Sequence, residues 1–198
     1  MIGVICPSIF EYRALDTAAM HKEGVKLVKS GMGKLRAMRA CAELHRHHPD
    51  LRHILLIGFA GGLTADLKVG DVVEPNVFIE QDYFAEPFEK FPNKISPKPF
   101  KKILRASSTA VMLTQDRFLT ENPYAKARGK SVFKKISCDM ESYAVAYYCR
   151  EASIPYSVIK LISDSADANA DHDFLKACRR LAPKLNRTVL EAVKHLRR

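Results

Sequence analysis

The chain has 198 residues, 47% hydrophobic and 27% charged, a composition that excludes disordered, collagen-like and low-complexity classes and suits a single domain over residues 1–198. No apolar run reaches the roughly 20 residues of a membrane helix, and Met1–Cys6 is too short and uncharged for a secretory signal. The net charge of +10 raises the question of an anionic partner, but Lys and Arg are spread from Lys22 to Arg198 with no aromatic-interleaved stripe, so nucleic acid is not the expected partner. Cys6, Cys41, Cys138, Cys149 and Cys178 are odd in number and lack CxxC spacing, which fits reduced cytoplasmic thiols rather than disulfides or a zinc site.

In chain order, the continuous apolar runs Ile2–Cys6, Val25–Lys29, His53–Ala60, Val72–Ile79, Thr109–Leu113 and Tyr156–Ile162 read as strands of a covered sheet. Lys34–His47, with apolar Leu35, Met38, Cys41, Ala42 and Leu44, reads as a helix, as do Ser142–Ala152 and Phe174–Leu196, the last bent or broken at Pro183. Glu86–Pro99 holds four prolines and reads as an irregular excursion. Alternating strands and helices predict an α/β fold whose ligand site lies at the carboxyl ends of the strands.

Five of the nine glycines fall just after two of these strands, in Ser30-Gly31-Met32-Gly33-Lys34 and Gly58-Phe59-Ala60-Gly61-Gly62-Leu63. The first fits neither a dinucleotide nor a P-loop pattern, and both segments leave a tight turn or a close approach of backbone to a ligand. Carboxylates also gather at strand ends: Glu11 after the first, Asp139 and Glu141 where an apolar segment meets a helix, Asp164 and Asp167 after Tyr156–Ile162. Each could cap a helix; converging on one crevice, they could perform acid–base chemistry on a polar small molecule.

Four blocks resemble those of the purine nucleoside phosphorylase and nucleosidase superfamily, and within it the methylthioadenosine/S-adenosylhomocysteine nucleosidases and their futalosine-hydrolase relatives. They are Ser30–Lys34, similar to SGIGK; Gly58–Leu63 with Leu67–Val73, similar to GSAGGL…LKVGDVV; Asp139–Ser142 with Ala144–Ala146, similar to EMEAAAVA; and Ile162–Asp167, similar to ISDVAD. The resemblance implies a three-layer αβα sandwich around a mixed, mostly parallel sheet. It implies hydrolysis of the N-glycosidic bond of 5′-modified adenosines such as methylthioadenosine, S-adenosylhomocysteine or aminodeoxyfutalosine, the last of menaquinone synthesis. The alternatives are a futalosine hydrolase releasing hypoxanthine and a catalytically inactive nucleoside-binding protein.

Carried over residue by residue, the resemblance makes Asp164 the general acid toward N7 of the base, oriented by Ser163, and Glu11 the group that activates water. Glu141 would hold the ribose hydroxyls, Met140 would pack on the sugar and Phe118 on the base, with Met32, Ala60 and Gly61 completing the substrate contacts. No cofactor or metal is implied; a homodimer is. Phosphorylases of the superfamily carry a GDPxR-like loop near the N-terminus, whereas this chain has Pro7–Glu11, with Arg13 the one nearby cation beyond it. A carboxylate there would repel phosphate and suits water. Phe59 stands where a small polar residue is usual and should narrow the site or reshape the sugar contacts. The short Asp16–Val25 interval lacks the family's usual strand pair, so the sheet should be trimmed at that end.

Overall fold

A computed structural model describes residues 1–83, 94–96, 102–122 and 135–198. The strands are β1 (Ile2–Cys6), β2 (Val25–Lys29), β3 (His53–Gly62), β4 (Val72–Glu80), β5 (Lys94–Ile95), β6 (Ser108–Thr114), β7 (Ile136–Asp139) and β8 (Tyr156–Asp164). The helices are α1 (Ile9–Ala14), α2 (Thr17–Lys22), α3 (Lys34–His47), α4 (Ser142–Glu151) and α5 (Ala170–Leu196). All six expected strands and three expected helices form; α1, α2, β5 and β7 are additions. Most of the Glu86–Pro99 excursion lies outside the described residues, and its Lys94–Ile95 pairs antiparallel with β4.

The sheet runs β2-β1-β3-β7-β6-β4-β5, and β8 pairs with both β3 and β4, so that β3, β7, β6, β4 and β8 close into a ring. Five of the pairings are parallel; β3 with β7, β4 with β5 and β4 with β8 are antiparallel. Strand β2 is the sheet edge on the side where the short Asp16–Val25 interval, occupied by α2, predicts trimming.

Alternation along β3 explains the layers. Ile54 and Leu56 pack with Ala37, Ala40, Cys41 and Leu44 of α3 and Val145, Ala146 and Cys149 of α4; Leu55 and Ile57 pack with Leu181, Leu185, Val189 and Val193 of α5. Helices therefore cover both faces, a three-layer αβα sandwich. In α3 the buried stripe is Ala37, Ala40, Cys41 and Leu44, at i, i+3, i+4 and i+7, while Leu35 is 78% exposed, a correction to the apolar face expected from sequence. Of the bend or break expected at Pro183, the break does not occur: α5 runs as one helix through the exposed proline, because packing of its apolar face outweighs the one backbone hydrogen bond that proline removes.

Candidate active site

Six strand ends, those of β1, β2, β3, β6, β7 and β8, deliver side chains to one cavity of about 410 Å³. Beyond β1, Ser8 caps α1 by accepting from Glu11 N–H (3.3 Å), and the Glu11 carboxylate accepts in return from Ser8 N–H (2.5 Å). This capping box turns Glu11 inward, 3% exposed, where its other oxygen accepts from Phe59 N–H (3.0 Å). Gly58 permits that approach, since a Cβ there would overlap Glu11 Oε1. At the end of β7, Asp139 accepts from Thr114 Oγ1 (2.8 Å), Ser142 N–H and Ser142 Oγ, and so caps α4. The helix-cap reading holds for Asp139, and the neighbouring Glu141 is left to face the cavity. Glu141 accepts from Gly33 N–H at 3.0 Å through one oxygen and from Lys160 Nζ at 3.2 Å through the other.

Lys160, fully buried on β8, also meets Asp139 Oδ2 at 3.0 Å. One ammonium thus stands among Asp139, Glu141 and Glu11, and too little positive charge is present to balance all three. Burial, and after it the neighbouring carboxylates, raise Glu141 above the usual carboxylate range against the pull of Lys160. The same carboxylates hold Lys160 firmly protonated despite its burial. The pocket floor is an electronegative, water-poor surface suited to positive charge.

Asp164 approaches from the end of β8, past a register shift between Ala60 and Gly61 that re-aims the chain. One oxygen accepts from Ala166 N–H (2.9 Å) and the other from Ser163 Oγ (2.6 Å). Because α5 begins at Ala170, Asp164 is not its cap. It is 3% exposed, and burial raises its pKa. Ser163 Oγ also lies 3.2 Å from Ala60 O; with a single proton to give, it can serve the ionised carboxylate or turn to that carbonyl when Asp164 is protonated.

The walls are apolar. Phe118 is 38% exposed and packs edge-to-face on Phe174, at 5.8 Å between centroids, which sets aside ordinary core packing for it. Phe59 lines the cavity, but its ring leans on Phe174 (6.0 Å, 89°) within the α5-side core while its backbone holds Glu11. Glu11, Met32, Ala60, Gly61, Phe118, Met140, Glu141, Ser163 and Asp164 all line this one cavity. Arg13 does not line it and is exposed; Arg117, at the mouth, is the one lysine or arginine lining it among the described residues. Sequence reasoning missed Lys160, Phe174 and the Ser8 cap. The last had a visible signal in Ser8-Ile9-Phe10-Glu11, an S-x-x-E pattern. All five cysteines are buried and free.

Comparison with known proteins agrees with this geometry. A family model described as Phosphorylase superfamily matches residues 13–194. A 5′-methylthioadenosine/S-adenosylhomocysteine nucleosidase of Buchnera aphidicola subsp. Baizongia pistaciae is 32% identical over 176 residues, covering 78% of this chain and 68% of that protein. Among solved structures, the nucleosidase of the same name from S. pneumoniae, bound to the transition-state inhibitor MT-ImmA, superposes with a TM-score of 0.80 at 20% identity over 98% of this chain and 99% of that one. Futalosine hydrolase of Helicobacter pylori gives 0.79 at 17% identity, over 98% and 97%. At these identities the two structures speak for the fold alone.

Proposed function

The chain belongs to the phosphorylase superfamily, and we propose that it is a nucleosidase, hydrolysing the N-glycosidic bond of 5′-modified adenosines such as methylthioadenosine and S-adenosylhomocysteine to release adenine. The observation that carries this reading is the placement of buried carboxyl groups around one cavity: Asp164 at the end of β8, held by Ser163 Oγ and Ala166 N–H where it can serve the base, and Glu11 and Glu141 beyond β1 and β7 where they can serve water and the sugar. Cleaving the bond between sugar and base demands both functions. The base leaves poorly as an anion, so Asp164 protonates N7; the sugar becomes oxocarbenium-like, and the electronegative floor stabilises it. Glu141 accepts from the ribose hydroxyls, Met140 packs on the sugar and Phe118 on the base. Glu11, already holding Ser8 and Phe59 amides, orients and deprotonates the attacking water with its remaining lone pairs.

Water rather than phosphate is the nucleophile. A phosphate dianion would have to sit against the Glu11 carboxylate, and Lys160 is already committed to Asp139 and Glu141. The reaction takes place in a cytoplasmic homodimer. Exposed Met32 (52%), Phe118 and Leu175 (47%) at the cavity, with Phe10 (44%) packed on Phe174, support a second copy covering it, and five buried thiols support a reducing compartment.

The test is adenine release from methylthioadenosine, S-adenosylhomocysteine, aminodeoxyfutalosine and, for hypoxanthine, futalosine. Adenine from the first two is expected. Tight binding without release would identify a binding protein, and futalosine as the sole substrate would make it a futalosine hydrolase. Light scattering at micromolar concentration should give twice the chain mass.

A further inference from the structure

Lys34 opens α3 directly after the Gly31–Gly33 turn, and its ammonium is a meeting point for three carboxylates. Glu80 Oε1 and Asp82 Oδ1 each lie 2.6 Å from Nζ, and Asp116 Oδ2 lies at 3.9 Å. Those residues come from the last position of β4, the turn beyond it and the segment after β6. Backbone bonds join the same segments: Lys34 N–H donates to Asp116 Oδ1 (2.7 Å), and Asp116 N–H donates to Asp82 Oδ2 (2.9 Å). Gly33, at the N-cap position of α3, offers no side-chain cap, so Asp116 caps the helix from another part of the chain and places a negative charge at the positive end of its dipole. The side chains of Lys34 and Glu80 are 18% and 21% exposed, while Asp82 (35%) and Asp116 (50%) reach further into water, so the Lys34–Glu80 pair is the least screened of the three.

This junction sits one residue from the amide that holds Glu141, since Gly33 N–H donates to Glu141 Oε1 at 3.0 Å. Gly33 has φ +102°, and a Cβ there would lie 2.9 Å from Asp116 Oδ1, so the turn is fitted to the carboxylate above it. No other hydrogen bond ties residues 31–33 to the ends of β4 or β6 among the described residues; the tie passes through Lys34. Glu141 is held on its other side by Lys160, so its direction depends on two donors with separate supports. We propose that Lys34 is a positioning residue for sugar recognition: by clamping the turn to the ends of β4 and β6, it fixes the Gly33 amide that aims Glu141 at the ribose hydroxyls. This role rests on the nucleoside reading of the cavity.

The experiment compares binding of adenine with binding of an adenosine C-nucleoside, whose carbon–carbon bond to the base cannot be hydrolysed, in wild type, Lys34→Met and Lys34→Arg. Wild type should bind the C-nucleoside more tightly than adenine. Lys34→Met should lose about tenfold of that preference while its adenine affinity changes less than about threefold, and Lys34→Arg should restore most of it. Equal loss for both ligands would make Lys34 merely structural, and full retention of the preference would remove its role; either overturns the proposal. A wild type that gains nothing from the ribose would instead overturn the nucleoside reading, and the proposal with it. Should Lys34→Met fail to fold, Asp82→Asn, which removes one of the two close anchors, is held to the same comparison.

Discussion

Replacing Asp164 with Asn separates proton transfer from every other contribution of this side chain. The amide oxygen can still accept from Ala166 N–H, now 2.9 Å from Oδ1. The amide nitrogen, in place of Oδ2, can donate to Ser163 Oγ, which then turns its own proton to Ala60 O, 3.2 Å away. Every local hydrogen bond therefore has a counterpart, and the fold should be kept. What disappears is the transferable proton. General acid catalysis contributes roughly 10²–10⁴-fold, or about 3–5 kcal/mol of barrier, so kcat/KM for methylthioadenosine should fall by that factor. The pH dependence carries the same signature. Burial raises the native pKa of Asp164, the protonated form is the active one, and wild-type kcat/KM should decline as pH rises through that value; the residual activity of Asp164→Asn should lack this limb. Linkage gives the matching stability sign. With the native pKa above the unfolded one, the stabilisation present at acid pH is lost as pH rises through the native value, so at pH above it Asp164→Asn should be at least as stable as wild type. The assay is steady-state adenine release across pH, with thermal melts on the same samples. A variant retaining more than about a tenth of the wild-type rate, with its pH profile intact, would refute the assignment of Asp164 as the acid.

Glu141→Gln should lower kcat/KM for methylthioadenosine far more than it weakens binding of free adenine, because its proposed contacts to the sugar would strengthen as positive charge develops; parallel losses would make Glu141 structural. Lys160→Met leaves Asp139 and Glu141 buried without their cation and should cost about 3–5 kcal/mol of stability, read from denaturant midpoints. A loss below about 1 kcal/mol would show the carboxylates to be neutral in the native state. Gly58→Ala puts a Cβ into Glu11 Oε1; adenine release should drop at least about tenfold while adenine affinity, which the proposal assigns to Phe118 and Asp164, stays within about threefold.

The strand-end carboxylates were legible because each follows a continuous apolar run, and an α/β sheet carries such ends to a common crevice: Asp164 closes β8, and Glu11 lies in the short helix just beyond β1. Lys160 was not legible. A lysine inside an apolar run has no local partner, and its carboxylates arrive from the β7–α4 junction through tertiary pairing alone. Helices α1 and α2, six residues each, and the four-residue β7 are too short for periodicity to reveal, although the S-x-x-E box of Ser8 and Glu11 marks the first of them. In α3 the large Leu35 and Met38 misled because the buried stripe uses the smaller Ala37, Ala40 and Cys41 with Leu44. Phe59 appeared as an obstruction in the sequence; its ring belongs partly to the core beneath α5, and its backbone amide is the part that serves Glu11.

We propose that water held by Glu11, and not phosphate, attacks the anomeric carbon. Methylthioadenosine turned over in heavy-oxygen water with excess inorganic phosphate tests it directly, by mass spectrometry of the sugar. The prediction is free methylthioribose carrying heavy oxygen, analysed before exchange at the anomeric position, at a rate that phosphate does not increase. Methylthioribose 1-phosphate as the product would contradict it.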